Sequence, residues 1–273
     1  MNLGEFLTSS PTLVGLLVGF LIGLTGVGGG SLMTPYLVVG MGLPAPTAIG
    51  TDMIYATVTK MTGSLQHYRQ RSINLELAIF LGLGSIPASL LGVATLEWIK
   101  RSYDEEMVRS IMITVIAVTL VIVGLSLIYR NFFMPERGEN DAIGSGGWDG
   151  KSRMSAKRRI YTVVFGAFGG YLVGLTSIGS GSVMAVILLL LYPIAPSVVV
   201  GTDIAHATVL SLATGIAHMT QGNVDFSLVG SLLLGGIPGV LAGSVLAPWL
   251  PGKPLKVILA VTLIFVGTRL LLS

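Results

Sequence analysis

Gly23-Leu24-Thr25-Gly26-Val27-Gly28-Gly29-Gly30-Ser31 interrupts a long apolar run near the start of the chain. A second stretch, Gly174-Leu175-Thr176-Ser177-Ile178-Gly179-Ser180-Gly181-Ser182, does the same 151 residues later. The same offset carries Gly50-Thr51-Asp52 onto Gly201-Thr202-Asp203, His67 onto His218, Ile86-Pro87 onto Ile237-Pro238, Gly92 onto Gly243 and Trp98 onto Trp249. Apolar composition alone imitates weak repeats, but it does not hold Asp, His, Pro and Trp in one register. The chain reads as two related halves.

Composition sets the solvent. Of the 273 residues, 52% are hydrophobic and 11% charged, against about 25% charged in an ordinary soluble domain. Such a chain cannot cover its surface with ionised groups, so lipid is its surroundings. Eight apolar segments follow, at 11–41, 45–68, 75–98, 107–130, 160–192, 196–219, 226–249 and 254–272,. The expected class is an all-α integral membrane protein with two homologous four-segment halves. The first segment of each is broken or re-entrant at its glycine-rich stretch. Residues 1–130 form the first membrane repeat, 131–159 a polar cytoplasmic linker and 160–273 the second repeat. The linker holds Glu136, Arg137, Glu139 and Asp141, then Lys151, Arg153, Lys157, Arg158 and Arg159. Its basic residues place it on the cytoplasmic side. Four crossings per half make the repeats parallel, and three make them inverted; the sequence leaves both open. No cleavable signal peptide is evident. The expected location is the cell (cytoplasmic) membrane, multi-pass.

The absence of cysteine excludes disulfides, thiolate metal sites and cysteine nucleophiles,. The sequence contains no H-E-x-x-H, no phosphate-binding loop with its lysine and no G-x-S-x-G,. No catalytic residue, metal ligand or cofactor is assigned, and an enzyme is not expected. The basic linker residues are explained by membrane orientation rather than by nucleic acid.

The chemistry therefore lies in the breaks. Non-helical backbone at membrane depth is tolerated only where protein or a water-filled cavity receives its polar groups. Each break frees backbone N–H donors and starts a new half-helix, an arrangement that favours an anion. Discontinuous helices at matching positions of two halves point to a transporter binding site. The expected substrate-binding residues are Thr25, Gly28, Gly29, Gly30, Ser31 and Thr51 in the first half. In the second they are Thr176, Ser177, Gly179, Ser180, Gly181, Ser182 and Thr202. The alternative reading is that the glycines only let helices pack closely, as Gly15, Gly19 and Gly23 at four-residue spacing do.

Coupling or gating is assigned to Asp52, Lys60, Asp203 and His206, because ionisable side chains inside a span are costly and functional by default. Lys60 lies two turns beyond Asp52 and has Ser211 as its counterpart. His206 stands one turn past Asp203, opposite Tyr55. His67 and His218 are expected at the interface, Trp98 and Trp249 at the headgroup belt, and Pro87 and Pro238 as kinks.

At Gly23 to Met33 and Gly50 to Asp52, and at Gly174 to Met184 and Gly201 to Asp203, the chain resembles the sulfite exporter TauE/SafE family. The resemblance spans nearly the whole chain. It implies a transporter of small sulfur-containing or organic anions (sulfite, thiosulfate, sulfonates) in the bacterial cytoplasmic membrane. Two departures stand out. The second break reads Gly-Ser-Gly-Ser in place of a glycine triplet, and aspartates follow Thr51 and Thr202 where Ser or Asn is usual. A carboxylate beside an anion site needs a proton or a partner. The expected function is thus secondary transport of a small anion bound between the two breaks near the midplane. The alternative is a proton- or cation-coupled carrier or channel in which Asp52 and Asp203 bind the ion. The expected partners are the small anionic substrate and the lipid bilayer, with homo-oligomer formation left open. A membrane scaffold without transport is the weakest reading.

Overall fold

The computed structural model describes residues 10–25, 30–69, 71–133, 154–179, 181, 184, 187–188, 192, 196–246, 249 and 252–272. Among them the secondary structure is helical, with no strand. The helices are α1 (Pro11–Thr25), α2 (Gly30–Pro35), α3 (Ala45–Arg69), α4 (Leu75–Ser102), α5 (Glu105–Phe133), α6 (Ala156–Thr176), α7 (Pro196–Thr220), α8 (Phe226–Leu246) and α9 (Gly252–Leu271). A short π-helical segment, Tyr36–Gly40, continues α2.

Helix starts follow from capping chemistry. The Asn74 side chain accepts from Leu77 N–H at 3.0 Å to open α4, and Asp225 accepts from Leu228 N–H at 2.9 Å to open α8. Asp104 does the same for Met107 N–H at 2.9 Å at the start of α5. Each side-chain oxygen satisfies one of the donors that a helix start leaves unpaired. Arg159 of α6 donates to Glu76 of α4 at 2.9 Å, tying the far end of the linker region to the start of α4.

Packing is inside-out. Large apolar side chains such as Leu83, Leu91, Leu234, Val245, Ile258 and Phe265 face outward, while Asp52, Lys60, Asp203, His206 and Thr214 are buried. Water would penalise that outer surface and lipid does not. Five helical stretches are long and apolar enough to cross a membrane: Leu75–Ser102, Glu105–Tyr129, Ala156–Thr176, Val198–Thr220 and Phe226–Leu246. α1 and α9 are apolar but shorter. α3 fails on composition for a physical reason: almost every residue from Ala45 to Lys60 is buried by neighbouring helices, so it needs no lipid-compatible coat,. The count of five holds among the described residues. Within the segment 11–41, expected to be broken or re-entrant at its glycine-rich stretch, the described residues fall in separate helices. α1 ends at Thr25 and α2 begins at Gly30, with residues 26–29 and the linker residues 134–153 lying outside those described.

Close glycine contacts order the bundle. Gly15, Gly19 and Gly23 of α1 lie against the backbone at Leu232, Gly236 and Val240 of α8, so these two helices run parallel. Gly166, Gly170 and Gly174 of α6 lie against Leu81, Ser85 and Ser89 of α4 in the same way. Each of these contacts has its match 151 residues along the chain. α3 and α7 instead cross antiparallel, with Gly63 near Ile204 and Gly215 near Ile54. α5 and α9 are antiparallel too: Gly124 meets Ala260 and Ile264, and Gly267 meets Ala117. Ile116, Leu120, Leu259 and Leu263 are buried in the apolar cluster between α5 and α9.

Candidate functional site

α3 and α7 form the centre, and the polar residues of the interior gather on them. Asp52 is fully buried. Its Oδ2 accepts hydrogen bonds from Thr34 of α2, at 2.8 Å, and from Ser177 just beyond α6. Its Oδ1 has no protein partner. A Cβ added to Gly30 would fall 2.2 Å from the Ser177 carbonyl oxygen, so the start of α2 and the end of α6 touch backbone to backbone. A residue just past the first glycine-rich stretch, Thr34, and one inside the second, Ser177, therefore meet at one carboxylate.

Ser177 is held in the left-handed region, with φ 63°. That conformation costs a non-glycine residue about 1–2 kcal/mol, and the first-half counterpart is glycine, Gly26. The hydroxyl on Asp52 is what the serine gains in return. Gly179 and Gly181 take φ of 111° and 123°, open to glycine alone,. Thr176 Oγ1 donates to the Leu172 carbonyl at 2.7 Å and accepts from Ile178 N–H at 3.1 Å, closing the end of α6. Ser31 is buried in α2. Thr25 closes α1. Gly28, Gly29, Ser180 and Ser182 lie outside the described residues.

Thr51 and Thr202 face elsewhere. Thr51 Oγ1 accepts from Asp225 N–H at 3.0 Å, and Thr202 Oγ1 accepts from Asn74 N–H at 2.9 Å. The adjoining Gly50 and Gly201 approach the carbonyl oxygens of Asn223 and Ser72, where a Cβ would fall 2.0 and 2.5 Å away. Each Gly-Thr pair thus clasps the hairpin turn of the opposite half, and the following aspartate is placed as a consequence.

Lys60 Nζ donates to Ser211 Oγ at 3.4 Å. Asp52 and Asp203 each precede those residues by eight positions on antiparallel helices, so they stand about 12 Å along the helix on opposite sides of the crossing. Asp203 and His206 are buried. His206 Nε2 hydrogen bonds with Ser85 Oγ of α4 at 2.6 Å, and its counterpart Tyr55 donates to the Gly15 carbonyl at 3.3 Å. His218, expected at the interface, is fully buried, with Nε2 on the Gly174 carbonyl at 3.3 Å. His67 is half-buried and pairs with Ser72 at 2.9 Å. Trp98 and Trp249 are exposed on the outer surface. Pro87 and Pro238 lie inside helices that continue past them.

Sequence reasoning did not single out Thr34, Ser85, Ser89 or Thr214. Thr34 is the one aliphatic hydroxyl between Leu32 and Gly40 after the first glycine-rich stretch, and that was its available signal. The serines of α4 look like small packing residues until α7 is laid against them. Among the described residues no three His, Asp or Glu side chains gather as a metal site.

An outer coat of apolar side chains around a polar interior on two crossing helices is the arrangement of a multi-pass membrane protein. The chain belongs to the sulfite exporter TauE/SafE family, whose sequence profile matches residues 12–270. It is 39% identical over 264 residues to the probable membrane transporter protein YjnA of Bacillus subtilis (strain 168), covering 96% of this chain and 99% of that one. A second protein from that organism, the probable membrane transporter protein YdhB, is 24% identical over 95% of this chain and 98% of its own. An archaeal relative, the probable membrane transporter protein MJ0441 of Methanocaldococcus jannaschii, is 25% identical over 86% of this chain and 84% of its own. No solved structure is significantly similar to the chain.

Proposed function

We propose that the protein is a secondary transporter of a small anion, a sulfur-containing one such as sulfite, thiosulfate or a sulfonate. The anion is held where the two glycine-rich breaks approach one another. The observation that carries this reading is the meeting of Thr34 and Ser177 at Asp52, with Gly30 against the Ser177 carbonyl. Backbone donors freed at the breaks and the hydroxyls of Ser31 and Ser177 supply anion ligands. Lys60 supplies the compensating positive charge near the crossing, and Asp52 and Asp203 serve as coupling groups. The substrate class draws on the family's description.

The architecture in this reading is two four-segment halves in inverted arrangement, 1–130 and 160–273, joined by the linker 131–159. The antiparallel crossing of α3 with α7, and of α5 with α9, supports inversion, because helices related by an axis along the membrane normal run parallel. α1 runs parallel to α8 and therefore parallel to α3. The chain between them, including α2, must turn back, which fits a re-entrant first segment. Alternating access rocks one half against the other.

A second reading, in which the aspartates bind a proton or cation that is itself the cargo, is favoured by the unpartnered, fully buried Oδ1 of Asp52. The test is uptake of radiolabelled sulfite or thiosulfate into proteoliposomes, with and without a pH gradient. The anion reading expects uptake that Asp52→Asn with Asp203→Asn uncouples from the gradient. Absence of uptake for every oxyanion and sulfonate tried would sink it.

A further inference from the structure

The two sides of the α3–α7 crossing differ in their buried polar groups. On the α4 side, His206 meets Ser85 at 2.6 Å, and Thr214 donates to Ser89 Oγ at 2.9 Å. The Gly174 backbone lies against Ser89, and the Gly174 carbonyl in turn meets His218 Nε2 at 3.3 Å. At the matching positions on the α8 side stand Tyr55 against Gly236, with Gly63 and Val240 in place of Thr214 and Ser89. His67, the counterpart of His218, turns to Ser72 in its own hairpin. Gly23 packs against the Val240 backbone just as Gly174 packs against that of Ser89. The packing therefore forms without these hydroxyls. Polar groups buried in a membrane protein cost free energy and mark ion or proton pathways by default.

Both imidazoles have Nε2 hydrogen-bonded and Nδ1 without a protein partner. His218 donates Nε2–H to a carbonyl, so in the neutral ring Nδ1 carries the lone pair. That Nδ1 and the Nδ1 of His206 are buried without a protein partner, and the two residues are 0% and 3% exposed. The charged groups around His206 are Lys60 of α3 and Asp203 of its own helix; α4 presents Ser85. Around His218 they are Glu97 and Lys100 of α4, while α6 presents the Gly174 carbonyl and the hairpin presents Asn223.

We propose that His218, Thr214, Ser89, Ser85 and His206 form a one-sided proton relay for the coupling step. It runs from the C-terminal end of α7 to the level of Asp203 and Lys60, and it rests on the transport reading above. Successive stations on one helix are separated by a turn or two, at about 5.4 Å per turn, and one or two bridging waters span each step. At every step one N–H or O–H bond forms as another breaks. The net change is one proton moved, after which each hydroxyl is reversed and each imidazole is in its other tautomer, and both rotate or exchange back before the next proton. Leu210, which separates His206 from Thr214 on α7, is bypassed through Ser85 and Ser89, one turn apart on α4.

The experiment uses the full chain in proteoliposomes with an entrapped pH dye and radiolabelled thiosulfate or sulfite. Anion–anion exchange and anion-driven proton flux are measured side by side for wild type, Ser89→Ala with Thr214→Val, His218→Gln, and the mirror control Val240→Ala. The relay predicts exchange within about twofold of wild type, with proton flux reduced at least tenfold in the first two variants and unchanged in the control. Full proton flux in the variants overturns it, as does an equal loss of exchange and flux, which would mark a packing role. Wild-type anion transport that moves no proton overturns the relay and leaves the transport reading standing. A wild type that moves no tested anion removes both.

Discussion

Lys60 and Ser211 occupy the same position in the two halves, 151 residues apart, and they touch: the ammonium donates to the hydroxyl at 3.4 Å. In the inverted arrangement proposed above, equivalent residues in contact mark where the approximate two-fold axis passes. Lys60, the one buried lysine among the described residues, therefore stands almost on that axis, between two aspartates set about 12 Å to either side along their helices,.

A charge so close to the axis should work from either helix. Lys60→Ser is expected to reduce anion uptake at least tenfold, and the exchange Lys60→Ser with Ser211→Lys to recover a substantial part of it. Initial rates of uptake into proteoliposomes measure both. No recovery despite a folded double variant would show that the lysine is needed on α3 specifically.

Inversion has a direct topological signature, and the lack of native cysteine makes it simple to read. Tyr68 and Met219 are matching exposed residues at the ends of α3 and α7. Tyr68→Cys and Met219→Cys are expected to react with an impermeant maleimide from opposite sides of the membrane. Labelling from the same side would require parallel halves.

Ser177 trades backbone strain for a hydrogen bond. Ser177→Ala keeps the left-handed conformation and loses the hydroxyl, whereas Ser177→Gly loses the hydroxyl but relieves the strain. Thermal unfolding in detergent should rank wild type above Gly, and Gly above Ala by about 1 kcal/mol. Both variants should shift the pH dependence of uptake, because Asp52 loses a donor in each.

Helix contacts made through backbone tolerate no added carbon. A Cβ at Gly174 would fall 2.1 Å from the Ser89 carbonyl oxygen, while at Gly230 nothing lies within 4 Å. Gly174→Ala should destabilise by about 1–3 kcal/mol through overpacking. Gly230→Ala should be neutral or stabilise by up to about 1 kcal/mol, the helix preference of Ala over Gly.

Thr51→Val removes the acceptor for Asp225 N–H and should lower thermal stability by about 1 kcal/mol, with Thr51→Ser restoring it. A raised KM at unchanged stability would instead assign the Thr51 hydroxyl to the substrate.

Much of this protein is written locally. Low charge and long apolar runs dictated a membrane solvent, and an offset that keeps Gly-Thr-Asp, His and Trp in register dictated a repeat. These are legible because hydropathy and spacing are properties of a chain in any conformation. The segment expected at 45–68 is the helix α3, Ala45–Arg69, which crosses the centre of the bundle, where neighbouring helices rather than lipid cover it. Which polar groups meet was decided by tertiary structure alone. Nothing local to Asp52 announces Thr34 or Ser177, which lie 18 and 125 residues away. Nothing local to Thr51 announces that its hydroxyl holds the turn at Asp225. Such pairings depend on α1 packing against α8 and α6 against α4, contacts made through glycine backbones whose partners the sequence does not name. The physical reason is that a glycine states only that something may come close, while the crossing of the helices decides what does.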